Sequence, residues 1–446
     1  MPQKNTITDL AAYIWQNIKK STKLEYRIPP SGILEELFET LYFASMNSEE
    51  GELIKVRVAF YNPNEPVGFR RTRNIERYNY IPFGKPMPYD VKSIVKLSKS
   101  ADPWSSSLAV YFDDDQELQI YGLIDQAVHT ESYLNRESTT KPDQAGLFQV
   151  SIIGIGSLSV IREYDLIATF KQNILVTQFL DVLRFGPISR LLKAKAKNFT
   201  DEIIKFIVSN DFDVDIEDYE PTIHNIWRDT LSRILIHIRN YRHGGAFLIS
   251  AETTGLKINY TVSYDRLHKS MARLLKWTIA CDVVEEEISI LGDRNMKMDL
   301  FNEYLIGKSK KKSSENELKG AIRFIASHSC VDGLILFDDD LFEQGYGVFV
   351  QDLHAPKYIY QATDNTGTES LLVRKSLSHY GTRHQSMISF CYANEGSIGF
   401  VVSQDGDIRA FTKAGDKLIM WESIKTHKYL KSAPSRRLPT TRLKSL

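Results

Sequence analysis

The sequence predicts an α/β protein in two parts: a β-rich α+β region, then a mixed sheet flanked by helices. Three observations carry this. Between residues 53 and 170 short runs such as Leu53–Phe60 and Leu118–Ile124 carry apolar residues at every second position, the period of a half-buried strand. From residue 221 the period lengthens to that of an amphipathic helix (Ile223, Ile226, Trp227, Leu231, Ile234, Leu235, Ile238). Such helices then alternate with short, wholly apolar runs, the signature of helices laid on a sheet. The 446 residues also exceed what one core usually organises, so at least two domains are expected.

Taken in order, residues 6–20 read as a helix with Leu10, Tyr13, Ile14 and Ile18 on one face and Thr6 as cap. After Pro29-Pro30, Ser31 is expected to cap a second helix bearing Leu34, Leu37, Phe38 and Leu41. Strands follow at 53–60, 108–112 and 118–124, with Asp113-Asp114-Asp115 as a hairpin turn, then at 148–153, 158–162 and 166–170. Gly154-Ile155-Gly156 lacks a third glycine and a following helix, so it reads as a strand turn and not as a dinucleotide loop. One helix ends at Lys193–Lys197 and another spans 199–208. The acidic stretch 211–220, closed by Pro221, reads as an exposed joint, with the domain boundary inside it and a helix starting at Pro221. Strands at 244–250 and 256–260 precede a helix from about 264 to 288. Lys308–Lys312 reads as a polar loop, and Ser314 with Glu317 as the capping box of a helix over Leu318, Ile322 and Ile325. Strands 333–337 and 345–350, a helix over 383–393 and strands 397–403 and 407–412 complete the second part. The expected domains are therefore 1–210, 221–425 and a basic, disordered tail at 426–446.

Composition excludes several classes. Lysine plus arginine and aspartate plus glutamate number 56 each, so no net field recruits nucleic acid or an anionic membrane. The longest apolar runs fall short of a membrane span, and the N-terminus lacks an apolar signal core. Cys281, Cys330 and Cys391 show no metal or redox spacing and read as buried thiols of a cytoplasmic protein. Asp338-Asp339-Asp340, like 113–115, lacks the spacing of a calcium loop and reads as a hairpin turn. Arg70-Arg71-Thr72-Arg73 and the basic C-terminus read as solvated segments, not nucleic-acid grips.

The chemistry-bearing stretch is Gly381-Thr382-Arg383-His384-Gln385, placed where a loop enters a helix. Backbone N–H groups at a helix start, with the positive end of the helix dipole, make an anion site before side chains are counted. Val331-Asp332-Gly333-Leu334 lies upstream at the start of a strand. Phe400-Val401-Val402-Ser403-Gln404-Asp405-Gly406 closes a strand downstream. These three stations, in this order, resemble the diadenylate cyclase (DAC) domain family, whose pattern is Asp-Gly-Ala, Gly-Thr-Arg-His-Arg and Val-Ser-Glu-Glu. The likeness covers roughly 221–425. The front half resembles the DACNV-type sensor region found ahead of some DAC domains, on Leu118–Ile124 and Gly154–Val160.

The resemblance implies a DAC-type mixed sheet and condensation of two ATP into cyclic di-AMP with Mn²⁺ or Mg²⁺. It implies Asp332 at the metal and the 3′-hydroxyl, with Gly333 letting backbone approach the nucleotide. Gly381, Thr382, Arg383, Leu334, Gln385 and Ser403 would line the nucleotide. Asp332, His384 and Asp405 would be the metal positions, and Asp332, Gly333, Arg383 and His384 the catalytic set. It also implies a homo-oligomer, at least a face-to-face dimer of C-terminal domains, with a sensor ligand at the front. The chain departs from the pattern at Gln385, Leu334 and Gln404. A nucleotide-binding module without turnover, and an assembly scaffold, remain alternatives on the residues alone.

Overall fold

The computed structural model describes residues 4–19, 29–64, 78–103, 105–126, 137–138, 147–162, 165–212, 214–291, 298–351, 353–404, 406–426 and 428–429. It is an α/β protein whose chain divides into two units, residues 1–178 with 427–446, and residues 179–426.

In the first unit, helix α1 (Ile7–Lys19) starts at a reciprocal cap. Asp9 N donates to Thr6 Oγ1 at 3.2 Å and Thr6 N donates to Asp9 Oδ2 at 2.7 Å. Helix α2 (Ser31–Ala44) is capped otherwise than expected. Pro30, in extended conformation, occupies the cap position and Ser31 is already helical, so the serine hydroxyl makes no cap bond. With α3 (Val91–Leu97) these helices cover one face of an eight-stranded sheet. Its strands are β1 (Arg57–Phe60), β2 (Asn79–Pro88), β3 (Ser106–Phe112), β4 (Leu118–Asp125), β5 (Phe148–Gly154), β6 (Ser157–Arg162), β7 (Asp165–Lys171) and β8 (Ile174–Val176), ordered β8-β7-β6-β5-β1-β3-β4-β2. Leu34, Phe38 and Leu41 pack with Val58, Val110, Ile120 and Val150. The strand expected over 53–60 is shorter, because Glu52–Leu53 pairs instead with Ser48–Glu49. Asp113 does make the β3–β4 turn, accepting at Oδ1 from the amides of Asp115 and Glu117. Gly156, at φ +58°, turns β5 into β6.

The second unit begins earlier than expected. Helices α4 (Gly186–Lys195) and α5 (Lys197–Ser209) bury Ile188, Leu192, Phe199, Ile203 and Ile207 in the same core as Trp227 and Leu231, so they belong to this unit and not to the front half. Residues 215–220 of the acidic stretch open a helix and are not a joint. Asp215 caps helix α6 (Ile216–Tyr241) by accepting from Glu217 N, and Glu217 and Asp218 face the positive end of the helix dipole in the first turn. Pro221 therefore lies inside this helix rather than at its start.

Strands β9 (Gly245–Ile249) and β10 (Leu256–Tyr264) lead to helix α7 (Arg266–Leu291), which is followed by helix α8 (Met298–Ser327). Lys308–Lys312 lies within α8 and is no loop, since lysine is a good helix former and its polarity alone misleads. Ser314 is buried mid-helix and donates to Lys310 O, while Glu317 pairs with Arg266 and Arg273 of α7, so neither caps anything. Then come β11 (Leu334–Phe337), β12 (Glu343–Val350), β13 (Tyr358–Ala362), β14 (Val373–Ser376), helix α9 (Thr382–Ala393), β15 (Ile398–Val402), β16 (Ile408–Ala414) and β17 (Lys417–Trp421). The sheet runs β10-β12-β11-β9-β15-β16-β17-β13-β14. Period-two alternation sorts its faces. Phe247, Ile335, Phe337 and Phe400 meet α6, α7 and α8, and Leu248, Leu336, Val401 and Phe411 meet α9. Asp338 makes the β11–β12 turn, with Oδ1 accepting from the amides of Asp340 and Phe342. Cys281 and Cys391 are buried, but Cys330 is exposed, contrary to expectation, because it ends the short 3₁₀ turn after α8. The basic tail beyond residue 429 and Arg70–Arg73 lie outside the described residues. Among the described residues no helix is long and apolar enough to cross a membrane.

Candidate functional site

The pairing of three strands puts the polar stations at one end of the second sheet. In the parallel pair β9–β11, Phe247 lies opposite Ile335; two residues back in each strand come Gly245 and Gly333, preceded by Gly244 and Asp332. On the other side Gly245 lies opposite Val402, so Ser403 leaves the sheet at the same end. Val402 in turn lies opposite Ile408, which brings Asp407 there as well.

Helix α9 delivers the remaining station. Gly381 is its N-cap and Thr382 its first residue, so the amides of Thr382 and Arg383 emerge from the helix start without intrahelical partners. Arg383 reaches toward β9 and β15. A methyl group at Gly244 would lie 2.7 Å from Arg383 Nη1 and 3.0 Å from Val402 O, so the guanidinium occupies the space that a side chain there would fill. Among the described residues neither Arg383 nor Asp332 has a charged partner, and Asp332 is exposed.

His384 turns the other way, toward β16. Arg409 Nη1 donates to its Nε2 at 3.0 Å. Arg409 Nε donates to Glu422 at 2.8 Å, its Nη2 lies 3.2 Å from Asp407 Oδ2, and Gln361 donates to the other Glu422 oxygen at 2.7 Å. Tyr380 and Phe411 flank the imidazole at ring separations of 5.8 and 6.4 Å. Burial, then the Glu422 carboxylate, pushes the Tyr380 phenol up, keeping it neutral.

Other residues hold the chain rather than face a ligand. Gly333 has φ +114°, and a methyl there would stand 2.7 Å from the carbonyl carbon of Gly347 and from Val348 N. The neighbouring strand therefore demands this glycine before any nucleotide does. Leu334 is 4% exposed and packs with Val348, Met387 and Ile388 beneath α9, so it is core and not lining. Gln385 donates from Nε2 to Tyr380 O at 2.7 Å, fixing the loop that enters α9. Ser403 Oγ donates to Asp407 O at 3.1 Å across a tight turn. Asp405 lies outside the described residues.

Mg²⁺ or Mn²⁺ on a nucleotide needs one or two protein carboxylates, the remaining ligands being phosphate oxygens and water. Asp332 fits that part. His384 as placed does not, because its Nε2 lone pair is taken by Arg409. Among the described residues no group of three or more His, Cys, Asp or Glu side chains is close enough to hold a metal by itself. Sequence reasoning misses Gly244, Arg409 and Glu422. The alternation of Arg409 with Ile408 and Ala410 puts it on the α9 face with Phe411, but nothing local names His384 as its partner.

Residues 24–125 match the sequence model of the family described as "Probable sensor domain DACNV". The matched residues lie within the first unit. No curated protein matches the chain.

Proposed function

We propose that the second unit condenses two ATP molecules into cyclic di-AMP, under the control of whatever the sensor domain detects. What supports this reading above all is the Arg383 guanidinium beside Gly244, without a charged partner among the described residues, at the same sheet end as Asp332 and at the start of α9. In each half-reaction a 3′-oxygen bonds to the partner's α-phosphorus, the α–β anhydride bond breaks and pyrophosphate leaves. The hydroxyl proton passes to a base.

Arg383 and the first amides of α9 would hold phosphate oxygens, the guanidinium able to grip two at once. Asp332 would orient the 3′-hydroxyl and favour its ionisation. A divalent cation, seated on Asp332 and the triphosphate, would neutralise charge building on the leaving group. One unit holds one ATP, so two units must meet face to face and the active species is a homo-oligomer.

A second reading is a nucleotide-binding module that does not turn over. It is favoured by Gln385, which brings no charge and whose amide is turned back to Tyr380 O. The test is incubation of the purified chain with ATP and Mn²⁺ and chromatography of the products. Cyclic di-AMP that disappears in Asp332→Asn supports the cyclase, ATP binding without product supports the binding module, and neither binding nor product defeats both.

A further inference from the structure

We propose that Arg409, which lies outside all three polar stations, is a positioning residue that sets the tautomer and orientation of His384 and keeps its Nε2 from any cation. The inference deepens the cyclase reading and rests on it only for the kinetic part of its test.

A guanidinium carries N–H donors and no acceptor, and it stays protonated in proteins. The 3.0 Å contact between Arg409 Nη1 and His384 Nε2 therefore has one consistent assignment: Nε2 is unprotonated and accepts. The ring proton then sits on Nδ1. An imidazolium would set two positive donors against each other, and the Nε2–H tautomer would set N–H against N–H.

The geometry is built to hold the arginine rather than the histidine. Each of its three nitrogens has a partner on a different element. Nη1 meets His384 on α9, Nε meets Glu422 just after β17, and Nη2 meets Asp407 in the turn just before β16. Glu422 is itself fixed by Gln361 of β13. Two carboxylates from two elements thus balance the guanidinium and fix its plane. The plane in turn fixes where the imidazole of α9 lies, with Tyr380 and Phe411 limiting its rotation. His384 follows Arg383 in the same helical turn, so the Arg409 fork also registers the start of α9, where Arg383 projects toward Gly244.

The test uses the full chain with ¹⁵N-labelled histidine, the His384 signals being assigned from His384→Gln. Wild type should show an unprotonated Nε2 and a protonated Nδ1, and adding Zn²⁺ without nucleotide should leave the Nε2 shift in place. Arg409→Met should mix the tautomers and let Zn²⁺ move Nε2, whereas Arg409→Lys should keep the wild-type pattern. With ATP and Mn²⁺, Arg409→Met should lower kcat about 10- to 100-fold with KM changed less than about threefold, and Arg409→Lys should restore most of it. Glu422→Gln, which can keep accepting from Arg409, guards against misfolding and should retain the Nδ1–H form. A protonated Nε2 in wild type, or an unaltered tautomer in Arg409→Met, overturns the proposal. If wild type makes no product, the cyclase reading fails while the nitrogen shifts still decide this one.

Discussion

Replacing Gly244 by alanine separates the anion clamp from the fold that carries it. The new methyl would meet Arg383 Nη1 at 2.7 Å and Val402 O at 3.0 Å, and the backbone there has φ +71°. The guanidinium is the far end of a flexible side chain and can swing away; the carbonyl is part of β15 and cannot. The backbone cost of a non-glycine residue in the left-handed region is about 1–2 kcal/mol. For a unit of this size that lowers the melting temperature by a few degrees, roughly 2–4 °C per kcal/mol. Displacing Arg383 from a phosphate forfeits a charge-assisted hydrogen bond, about 1.5–3 kcal/mol, which is about a 10- to 100-fold weaker Kd for ATP. Differential scanning calorimetry and isothermal titration with ATP would read the two effects separately. A variant that melts lower but binds ATP as tightly as wild type would refute the assignment of Arg383 as the clamp.

Two more outcomes rest on burial. Leu334→Ala should cost about 2–5 kcal/mol in chemical denaturation, as a cavity beneath α9, with ATP affinity unchanged wherever the fold persists. Weaker ATP binding without lost stability would instead put Leu334 at the ligand. Burial, then the nearby Arg323 and Arg233, lowers the His237 pKa from 6.5 to about 4. Between those values the unfolded chain binds a proton that the folded chain refuses, so stability should fall as pH drops from about 6.5 towards 4. His237→Gln should flatten that part of the stability profile, and an unchanged profile would show that another group governs it.

Much of this architecture is legible in the sequence because it is local. The alternation in Phe247-Leu248-Ile249 fixes which side chain faces which helix layer, and the Gly381 turn announces the start of α9 by its residue types. The failures share a cause: polarity is a poor guide to absence of structure. Lys308–Lys312 and the acid-rich residues 216–220 look like loop, yet both are helical, the first through lysine's helix propensity and the second through acids matched to a helix start. Strands β13, β14 and β17 escape the sequence reading altogether; Val373–Ser376 is exposed at every position and carries no burial alternation to betray it. At the site, the sequence locates the residues but not their partners. His384 reads as a metal ligand because its neighbour from β16 is remote in sequence, and Gly333 as a nucleotide contact because the strand that demands it, β12, enters from the far side of a turn.

The parallel pairing of β9 with β11 has a kinetic consequence. Phe247 and Ile335 become neighbours only after β10 and the two long helices α7 and α8 have been laid down between them. Contacts so distant along the chain carry a loop-closure cost before any reward, and they slow folding. The rim bearing Asp332 and the rim bearing Gly244 are therefore expected to close late, so a chain halted early in refolding would possess its helical layer yet lack the sheet end on which these two residues meet.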